Sequence, residues 1–501
     1  MNGGVAPAID QVVPERRRRL LILAVCSMSL LIVSLDSTIV NVALPSIHQS
    51  FHSSLSGLQW VIDAYTLVLA SLLMLSGSTG DRLGRRRVFQ TGLVVFSSGS
   101  LLCGLAPSLG VLIAARALQA IGGSMLNPVA LSIIRNVFVD PRERAMAVGG
   151  WGAVPGISMS LGPIVGGALV DTVSWRAVFF VNLPIGILAI TLAALFLPES
   201  RATRPRRIDP VGQALIITAL ASLTYGIIGG PQAGWTSPRT LAFGAVSLLA
   251  WTALVRYELR RREPLLEVRC FHSAPLAGAS ASAVATYAAM GGFLFLNTLY
   301  LQDSRGLSPL DAGLHLLPLA VATFVMAPLS GRIVANHGGR IPLMAGGLAL
   351  LVAGAMLTRL TDHTSFVYLS VSYVLIGGAV GTLNPPITNT AVSGMPPSMA
   401  GVAAAVTSTS RQTGQTIGVA VLGALAGGGI MGAIGGGFPR ATHGSWWIVV
   451  GLGALIFVLG WLTTTPWARE TARLTAARFA EQDSPAARTA ANERPPEVAT
   501  R

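Results

Sequence analysis

The sequence predicts an all-α polytopic membrane protein, and two observations predict it: the composition and the length of the apolar runs. The chain has 501 residues, of which 52% are hydrophobic and only 11% are charged, with a mean hydropathy of +0.62. Apolar runs of about 20 residues recur along it, each long enough to cross a hydrocarbon core of about 30 Å. Such runs indicate helices rather than barrel strands, because a helix satisfies its own backbone hydrogen bonds in lipid.

Fourteen of these runs qualify as membrane-spanning helices. The even number predicts that both termini lie on the same side of the membrane. The predicted spans are residues 20–46, 57–77, 87–106, 109–134, 145–170, 177–197, 210–230, 239–256, 274–301, 312–334, 341–360, 365–388, 398–430 and 445–466.

The arginines are distributed unevenly between the two sides of this predicted bundle. Twenty-two lie in the N-terminal segment and in loops on the same side, against five on the other side: Arg176, Arg239, Arg305, Arg359 and Arg440. The side richer in arginine is the cytoplasmic one by the positive-inside rule, so both termini are predicted to be cytoplasmic. The formal charge of +14 therefore reflects membrane topology and does not indicate a nucleic-acid partner.

All 35 basic residues are arginine, since the chain contains no lysine. A Walker A loop needs a lysine, so an ATP-driven pump within this chain is excluded, and so is Schiff-base chemistry. The three cysteines are scattered, and His48 and His52 have no further ligands beside them, so neither a metal site nor a cofactor is predicted. Energy for any transport must come from a gradient or from another subunit.

Two motifs occur twice in the sequence. Gly122–Pro128 recurs as Gly377–Pro385 with two residues inserted, and Gly77–Arg86 is echoed by Gly331–Arg340. Each echo lies eight spans later, which predicts two six-helix halves separated by two inserted helices. Parallel repeats are typical of transporters whose site lies between the halves, although Gly- and Pro-rich apolar sequence can also match by chance. The predicted parts are a cytoplasmic segment 1–19, bundles 20–197 and 274–466, inserted helices 210–256, and a loosely ordered cytoplasmic tail 467–501.

Four charged residues lie well inside the predicted spans: Asp36, Asp63, Arg116 and Arg411. A charge at the centre of a spanning helix costs about 2.5–3.5 kcal/mol on insertion scales and therefore indicates an ion, proton or substrate path. Counted from the outer helix ends, Asp36 and Arg116 lie at depths of roughly 16 Å and 10 Å. We predict that they form a buried couple in which a proton on Asp36 releases Arg116; a static salt bridge is the alternative.

A second group of polar residues is predicted to contact the transported molecule. Asp63, flanked in sequence by Trp60 and Tyr65, can attract a cation through its charge while aromatic faces stack on it. Thr38 and Asn41 of the first span are predicted to contribute polar contacts to the same site. A solvated helix end is the alternative for Asp63, and the role of Arg411 is open.

Several stretches resemble one transporter family. Gly77–Arg87 reads Gly-Ser-Thr-Gly-Asp-Arg-Leu-Gly-Arg-Arg-Arg and resembles the signature loop of the major facilitator superfamily. Gly152–Gly167 resembles the antiporter motif of the fifth helix and contains Pro155, Gly156, Gly162, Pro163, Gly166 and Gly167. Arg116–Gly122 resembles the fourth-helix arginine motif, although Ala120 stands where the family usually has glycine. Asp36–Pro45 and Ser174–Gly186 are similar to hallmarks of the fourteen-helix drug:proton antiporter branch, the EmrB/QacA type.

The resemblance implies roles for these motifs. Asp81, with Arg82 and Arg85, is expected to act as a conformational latch. The carboxylate of Asp81 would complement the positive end of the thirteenth span near Met399. The second copy of the loop has Ala335 at the corresponding position and should not latch. The prolines and glycines of the fifth span are expected to kink that helix and to shape the exchange cycle, beyond simple packing.

The function predicted from sequence is proton-coupled efflux of hydrophobic, cationic drugs across the plasma membrane of a bacterium. The expected partners are the small molecule, protons and the lipid bilayer, and the expected state is a monomer. No pattern of catalytic residues points to an enzyme. An exporter of an endogenous lipid or secondary metabolite, and a non-transporting scaffold or receptor, remain the alternatives.

Overall fold

The computed structural model describes residues 16–202, 208–261, 264–393, 395, 399–428 and 437–482. Within these residues the regular structure is helical and contains no strand. A 3₁₀ turn at Val268–His272 precedes α10, and a π turn at Tyr300–Ser304 extends it. The α-helices are α1 (Arg16–Phe51), α2 (Leu55–Leu83), α3 (Arg85–Gly104), α4 (Leu109–Val137), α5 (Pro141–Thr172), α6 (Ala177–Phe180), α7 (Asn182–Phe196), α8 (Pro210–Ala233), α9 (Pro238–Arg260), α10 (Ala274–Leu299), α11 (Pro309–His315), α12 (Leu317–His337), α13 (Arg340–Leu357), α14 (Phe366–Ser393), α15 (Ala400–Gly428), α16 (Phe438–Leu462) and α17 (Pro466–Gln482).

Eleven helical segments among the described residues are long and apolar enough to cross a membrane, or up to twelve if the bent α5 is one span. A helix is present at each of the fourteen predicted positions, but α3 and α15 are not among those segments. Helix α3 begins with three arginines, and α15 carries the polar run 407–416. The structure therefore supports a multi-pass helical membrane protein without establishing the predicted count of fourteen spans.

The tail differs from the expectation of a loosely ordered segment, because its first part forms α17. This helix has a low apolar content and follows directly on α16 after a short turn. The rest of the tail, 483–501, lies outside the described residues, as do 1–15 of the predicted N-terminal segment and 398 and 429–430 of the thirteenth span.

Helix ends are marked by residues that satisfy free backbone groups. The Ser54 hydroxyl accepts from Gly57 N (3.3 Å) to begin α2, and Asp209 Oδ1 accepts from Gly212 N (2.9 Å) to begin α8. The connections α2–α3 and α12–α13 both place a glycine directly after the helix, Gly84 with φ 114° and Gly338 with φ 78°. Residues other than glycine rarely adopt these backbone dihedral angles, so both copies of the loop need a glycine at the end of the helix.

The same helix pairings occur in the two halves of the chain. In the first half, α1 packs on α5, α2 on α4, and α3 on both α4 and α7. In the second half, α10 packs on α15, α12 on α14, and α13 on both α14 and α16. These pairs correspond when the chain is compared with itself eight spans later. The recurrence of the pairing in space is independent of the sequence echoes and agrees with a duplicated helical unit.

Two seams join helices of the first half to helices of the second. Helix α2 packs along α15, and α5 packs against α11 and α12. The α8–α9 hairpin lies outside the first of these seams, because α8 contacts both α2 and α15. We call the end of the bundle that holds Arg16–Arg19 and Arg82–Arg87 the arginine-rich face, and the end that holds the α1–α2 turn, 52–54, the opposite face.

Candidate functional site

Asp36 and Arg116 lie in direct contact in the interior of the first half. Arg116 Nη1 donates to Asp36 Oδ2 at 2.5 Å, although 80 residues separate them in the chain. Asp36 is fully buried and Arg116 is 1% exposed. Helices α1 and α4 each bring one charge into a space that water does not reach. The structure thus places together the two residues for which the sequence predicted a couple.

Neutral side chains complete the hydrogen bonding of the Asp36 carboxylate. Gln119 Nε2 donates to Asp36 Oδ1 at 2.8 Å, and Asn182 Nδ2 donates to the same oxygen at 3.0 Å. Both amides also donate to the Ser100 hydroxyl, at 3.1 Å and 3.0 Å. Three donors therefore converge on this carboxylate, and they come from α4 and α7.

The guanidinium of Arg116 is enclosed on its remaining sides. Its Nε donates to the carbonyl of Val61 at 3.2 Å, and its Nη1 donates to Gln119 Oε1 at 2.7 Å. The ring of Tyr65 lies 4.2 Å from Arg116 Cζ, and the ring of Phe179 lies 5.8 Å away. Aromatic faces attract a desolvated cation, so Arg116 is stabilised by more than its carboxylate partner.

A neutral pair joins the corresponding helices of the second half. Tyr373 of α14 donates its hydroxyl to Asn297 Oδ1 of α10 at 2.6 Å, and both residues are buried. Helices α10 and α14 correspond to α1 and α4 in the repeated pairing. A couple that can change its charge joins these two helices only in the first half, within the part of the chain that the structure describes.

Asp63 lies on the face of α2 that packs on α15. It is fully buried, its Oδ2 has no partner among the described residues, and the contact from the Thr66 hydroxyl to Oδ1 is long, at 3.4 Å. Thr416 of α15 donates to Thr66 at 2.9 Å, and Gln59 Nε2 donates to the carbonyls of Val419 and Ala420, both at 3.0 Å. The solvated helix end considered from sequence does not match this burial.

The aromatic residues beside Asp63 in sequence contact other residues in the structure. Tyr65 packs against Arg116 on another face of α2, and Trp60 contacts Tyr225 of α8, with 5.8 Å between ring centroids. The prediction that aromatic faces stack on a cation held by Asp63 stays a prediction, and Tyr65 is already engaged with Arg116 in this structure. Asp63 is therefore an isolated carboxylate at a helix seam.

Thr38 and Asn41 lie on α1 but are not joined to Asp63 by any hydrogen bond among the described residues. Thr38 Oγ1 lies 3.3 Å from the carbonyl of Ser158 in α5, and Asn41 Nδ2 donates to the carbonyl of Ser37 at 2.9 Å. The three residues predicted to contact substrate therefore occupy separate positions. Thr38 belongs to the crossing of α1 and α5.

The glycines of the α5 motif that follow its bend lie in close contact with two neighbouring helices. Helix α5 bends by 40° between its parts Arg142–Met159 and Leu161–Thr172. A Cβ on Gly162 would lie 2.0 Å from Thr38 Oγ1, and one on Gly166 would lie 2.7 Å from Ile39. One on Gly167 would lie 2.5 Å from the carbonyl oxygen of Pro309. This part of α5 approaches α1 and α11 as closely as only glycine permits.

The glycines of α5 before the bend have open space beside their Cα atoms. A Cβ added to Gly149, Gly150, Gly152 or Gly156 would meet no atom within 4 Å. Pro155 lies within this part of α5. Pro163 lies beyond the bend, and its carbonyl oxygen is so close to Gly313 of α11 that a Cβ on Gly313 would lie 2.3 Å from it. The glycines of the α5 motif are thus in close contact beyond the bend and uncrowded before it, where Trp151 Nε1 nevertheless ties this part of α5 to the carbonyl of Cys26 at 3.2 Å.

Hydrogen bonds also join the halves at the opposite face. Asp171 Oδ2 at the end of α5 accepts from Leu310 N at 3.0 Å. Gln302 Nε2 donates to the carbonyl of Val42 in α1 at 2.9 Å. The two halves are therefore in contact at the opposite face in this structure.

The signature loop at the arginine-rich face is tied to its own half. Arg85 donates twice to Asp81 Oδ1, at 2.8 Å and 3.1 Å, while Arg82 is exposed. Arg85 N donates to the carbonyl of Ser200 at 2.9 Å, and Arg86 N donates to Glu199 Oε1 at 3.2 Å. The expected contact of Asp81 with the start of α15 is not among the contacts of the described residues; 394 and 396–398 lie outside them.

Arg411 links three helices of the second half. Its Nη2 donates to the Thr388 hydroxyl of α14 at 2.5 Å, and its Cζ lies 5.8 Å from the ring of Tyr287 in α10. Its Nε is buried without a partner in the described part of the chain. Arg411 therefore has neutral neighbours, unlike Arg116.

Sequence reasoning missed the amides and hydroxyl around Asp36, namely Gln119, Asn182 and Ser100. Two signals were present. Gln119 lies three residues after Arg116, which puts both on one face of α4, and Asn182 is the one polar side chain in the apolar stretch 177–186. Ser100 carried no signal, because a serine in an apolar helix commonly bonds its own backbone. No group of three or more potential metal ligands occurs among the described residues.

Comparisons with known proteins agree with this architecture. Residues 26–419 match the family model described as the Major Facilitator Superfamily. The chain is 38% identical over 409 residues to the multidrug resistance protein Stp of Mycobacterium tuberculosis, covering 82% of this chain and 76% of that protein. It is 37% identical over 401 residues to the tetracenomycin C resistance and export protein of Streptomyces glaucescens, covering 80% and 74%.

A solved structure shows the same fold. A bacterial homologue of the human lysosomal transporter Spinster, in an inward-facing and occupied conformation, superposes with a TM-score of 0.63 at 17% identity. The match covers 94% of this chain and all of that one, 100%. The chain therefore belongs to the Major Facilitator Superfamily and is a membrane transporter rather than an enzyme.

Proposed function

We propose that this chain exports hydrophobic, cationic drugs and other toxic small molecules from a bacterial cell in exchange for protons. Drug efflux is the function that the relatives support, since both are named for resistance. The observation that carries proton coupling is the buried contact of Asp36 with Arg116, at 2.5 Å. It is an ion pair in the first half whose charge a single proton can change.

Protonation of Asp36 removes the negative charge that faces Arg116. Arginine keeps its charge at any physiological pH, so a proton on the carboxylate leaves a buried cation without its counter-ion. Breaking a buried pair in this way costs about 3–5 kcal/mol, which the protein recovers by rearranging the helices around the pair. Gln119 on α4 and Asn182 on α7 donate to the same carboxyl, so we expect a proton on Asp36 to weaken contacts that join these helices to α1.

The cycle we propose is alternating access of two six-helix halves. The contacts of Asp171 with Leu310 and of Gln302 with Val42 hold the opposite face closed in the present state. We assign the arginine-rich face to the cytoplasm, where substrate enters, and count α3 and α15 as spans, which gives fourteen with both termini cytoplasmic. Bacterial relatives support the plasma membrane as its location, and the transport unit we propose is a monomer with its halves at 20–197 and 274–466.

Asp63 is the residue that we assign to recognition of a cationic substrate. Its carboxylate lacks a strong partner, and the seam in which it lies joins α2 to α15. When that seam opens, the carboxylate becomes available to a cation. Thr38 and Asn41 lie on α1 and are proposed to meet the substrate only as α1 moves relative to α5.

The test uses purified protein in liposomes with an imposed pH gradient and the lipophilic dye ethidium as the transported cation. Wild type should accumulate dye against its gradient, and Asp36→Asn should lose this accumulation while keeping dye exchange in the absence of a pH gradient. Asp63→Asn is the matched variant, because a defect in substrate binding should reduce both dye accumulation and dye exchange. Accumulation by Asp36→Asn equal to wild type places coupling elsewhere, and wild-type accumulation that survives collapse of the pH gradient refutes antiport.

Export of a secondary metabolite is the second candidate. It is favoured by one relative, which is named for export of tetracenomycin C. A deletion strain distinguishes the two functions: accumulation of ethidium supports drug efflux, and loss of a secreted compound without dye accumulation supports metabolite export. A non-transporting scaffold predicts that Asp36→Asn changes neither measurement.

A further inference from the structure

The end of α9 at the arginine-rich face carries a basic depression outside the transport pathway described above. Its volume is about 410 Å³, and its walls are Ala253, Arg256, Tyr257, Arg260 and Arg261. Three of these five residues are arginines. The depression lies on the inserted hairpin, the part of the chain for which neither the sequence nor the site provides a role.

Two of these arginines have no anionic partner. Arg256 and Arg260 are exposed, lie one helical turn apart, and make no ion pair or hydrogen bond with any residue that the structure describes. Like charges at this spacing repel each other. The nearby acids face inward instead: Asp209 is 1% exposed and Glu258 is 2% exposed. The outer surface of the depression therefore has a local excess of positive charge.

The face of α9 that bears these arginines is apolar above them. Leu249, Ala253, Arg256 and Arg260 follow each other at helical spacing along one side, and Leu249 is 68% exposed. An apolar stripe that leads directly into two arginines matches the shape of a phospholipid, whose acyl chains lie along the stripe and whose phosphate meets the guanidinium groups. A free phosphate ion makes no use of the stripe.

We propose that the cytoplasmic end of the inserted hairpin binds the headgroup of an anionic phospholipid, with Arg256 and Arg260 contacting the phosphate. Arg261 and Tyr257 hold the inner wall, because both contact Asp209 Oδ1 at 3.2 Å. Asp209 begins α8, where Gln213 Nε2 donates to the carbonyl of Ser71 in α2 at 2.7 Å. The bound lipid thus holds the hairpin against α2, which gives the two inserted helices a function as a lipid-dependent clamp on the α2–α15 seam.

The test is native mass spectrometry of the detergent-purified full chain titrated with phosphatidylglycerol, phosphatidylcholine or water-soluble glycerol phosphate. Each arginine near an anionic lipid contributes about fivefold to affinity, so Arg256→Gln with Arg260→Gln should weaken phosphatidylglycerol binding about thirtyfold. The matched control, Arg17→Gln with Arg18→Gln, removes the same charge from exposed positions at the same face and should bind as wild type. Phosphatidylcholine should bind weakly to all three proteins.

A second variant tests the contribution of the cavity to lipid binding without changing its charge. Ala253→Trp fills the depression, keeps every arginine, and should weaken phosphatidylglycerol binding as well. The proposal is overturned if the Arg256/Arg260 variant and Ala253→Trp both bind within twofold of wild type, or if the Arg17/Arg18 control loses as much affinity. It is also overturned if glycerol phosphate displaces phosphatidylglycerol at equal concentration, because the site then recognises a soluble phosphate.

Discussion

Asn182 Nδ2 lies 3.0 Å from Oδ1 of Asp36, across 146 residues of sequence. The same amide lies 3.0 Å from the hydroxyl of Ser100, which itself donates to the carbonyl of Phe179 at 2.9 Å. Asn182 begins α7, so the start of this helix is joined to α1 and α3 through one side chain. The carboxylate that we assign to proton coupling therefore belongs to a hydrogen-bond network of α1, α3, α4 and α7.

Asn182→Ala should destabilise the protein by about 1–3 kcal/mol, because it leaves a buried carboxylate oxygen and a buried hydroxyl with one donor fewer. The measurement is thermal unfolding of purified protein in detergent. Asn297→Ala is a comparison in the second half, where the amide meets a neutral tyrosine hydroxyl, and it should cost less. Equal losses in the two variants would contradict a special role for the charged site.

Arg116→Gln should cost about 3–5 kcal/mol of stability, because Asp36 then lies buried without its counter-charge. Combining it with Asp36→Asn should recover most of that loss, since no uncompensated charge remains, yet uphill transport should stay absent. Arg411→Gln is the control, an intramembrane arginine whose hydrogen bond is to the Thr388 hydroxyl, and about 1 kcal/mol is expected there. A double variant no more stable than Arg116→Gln would show that the pair contributes mainly packing.

Gly167→Ala should disfavour contact between the halves at the opposite face. The added Cβ would lie 2.5 Å from the carbonyl oxygen of Pro309 and 2.7 Å from Leu310 Cα, and backbone atoms cannot rotate away. Spin labels at Val173 and Leu314, 71% and 40% exposed, report the separation of α5 from α11. The three native cysteines are buried, which allows labelling at the introduced ones.

The distance distribution should shift to longer values in Gly167→Ala and stay unchanged in Gly152→Ala. Gly152 belongs to the same helix but has nothing within 4 Å of its added Cβ. Identical distributions in both variants and wild type would mean that α5 tolerates the methyl group without opening.

Asp81→Asn should reduce transport several-fold with little change in unfolding temperature. The pair of Asp81 with Arg85 is partly exposed, with side-chain exposures of 34% and 16%, so it contributes about 1 kcal/mol or less to stability. Glu199→Gln is the comparison, because Glu199 contacts the same loop through Arg86 N. Wild-type transport by Asp81→Asn would exclude a latch at this position.

Helix positions could be predicted from sequence because each apolar run is bounded by capping residues, charges or glycine. Gly84 and Gly338 end α2 and α12 in the same way, and the repeated motif revealed both. The tail was predicted less well: α17 is amphipathic and polar, so no apolar run announced it. The count of spans stays a prediction, since α15 has too many polar residues to qualify by apolarity.

Only the charged residues at the centre of the site could be predicted from sequence. Asp36 and Arg116 stand out as charges in apolar helices, and helical depth placed them at similar levels. The direction of each side chain around its helix axis was not available from sequence. For that reason the contacts of Tyr65 with Arg116 and of Asp81 with Arg85 were not predicted.

The neutral pair of Tyr373 with Asn297 means that the second half repeats the helix pairing of the first without repeating its buried charges. In the mechanism that we propose, the ionisable couple of Asp36 and Arg116 is needed only once, in the first half. A chimaera that joins the first half of this chain to the second half of a relative should therefore keep its proton dependence. The driving force is then inherited with one half of the polypeptide.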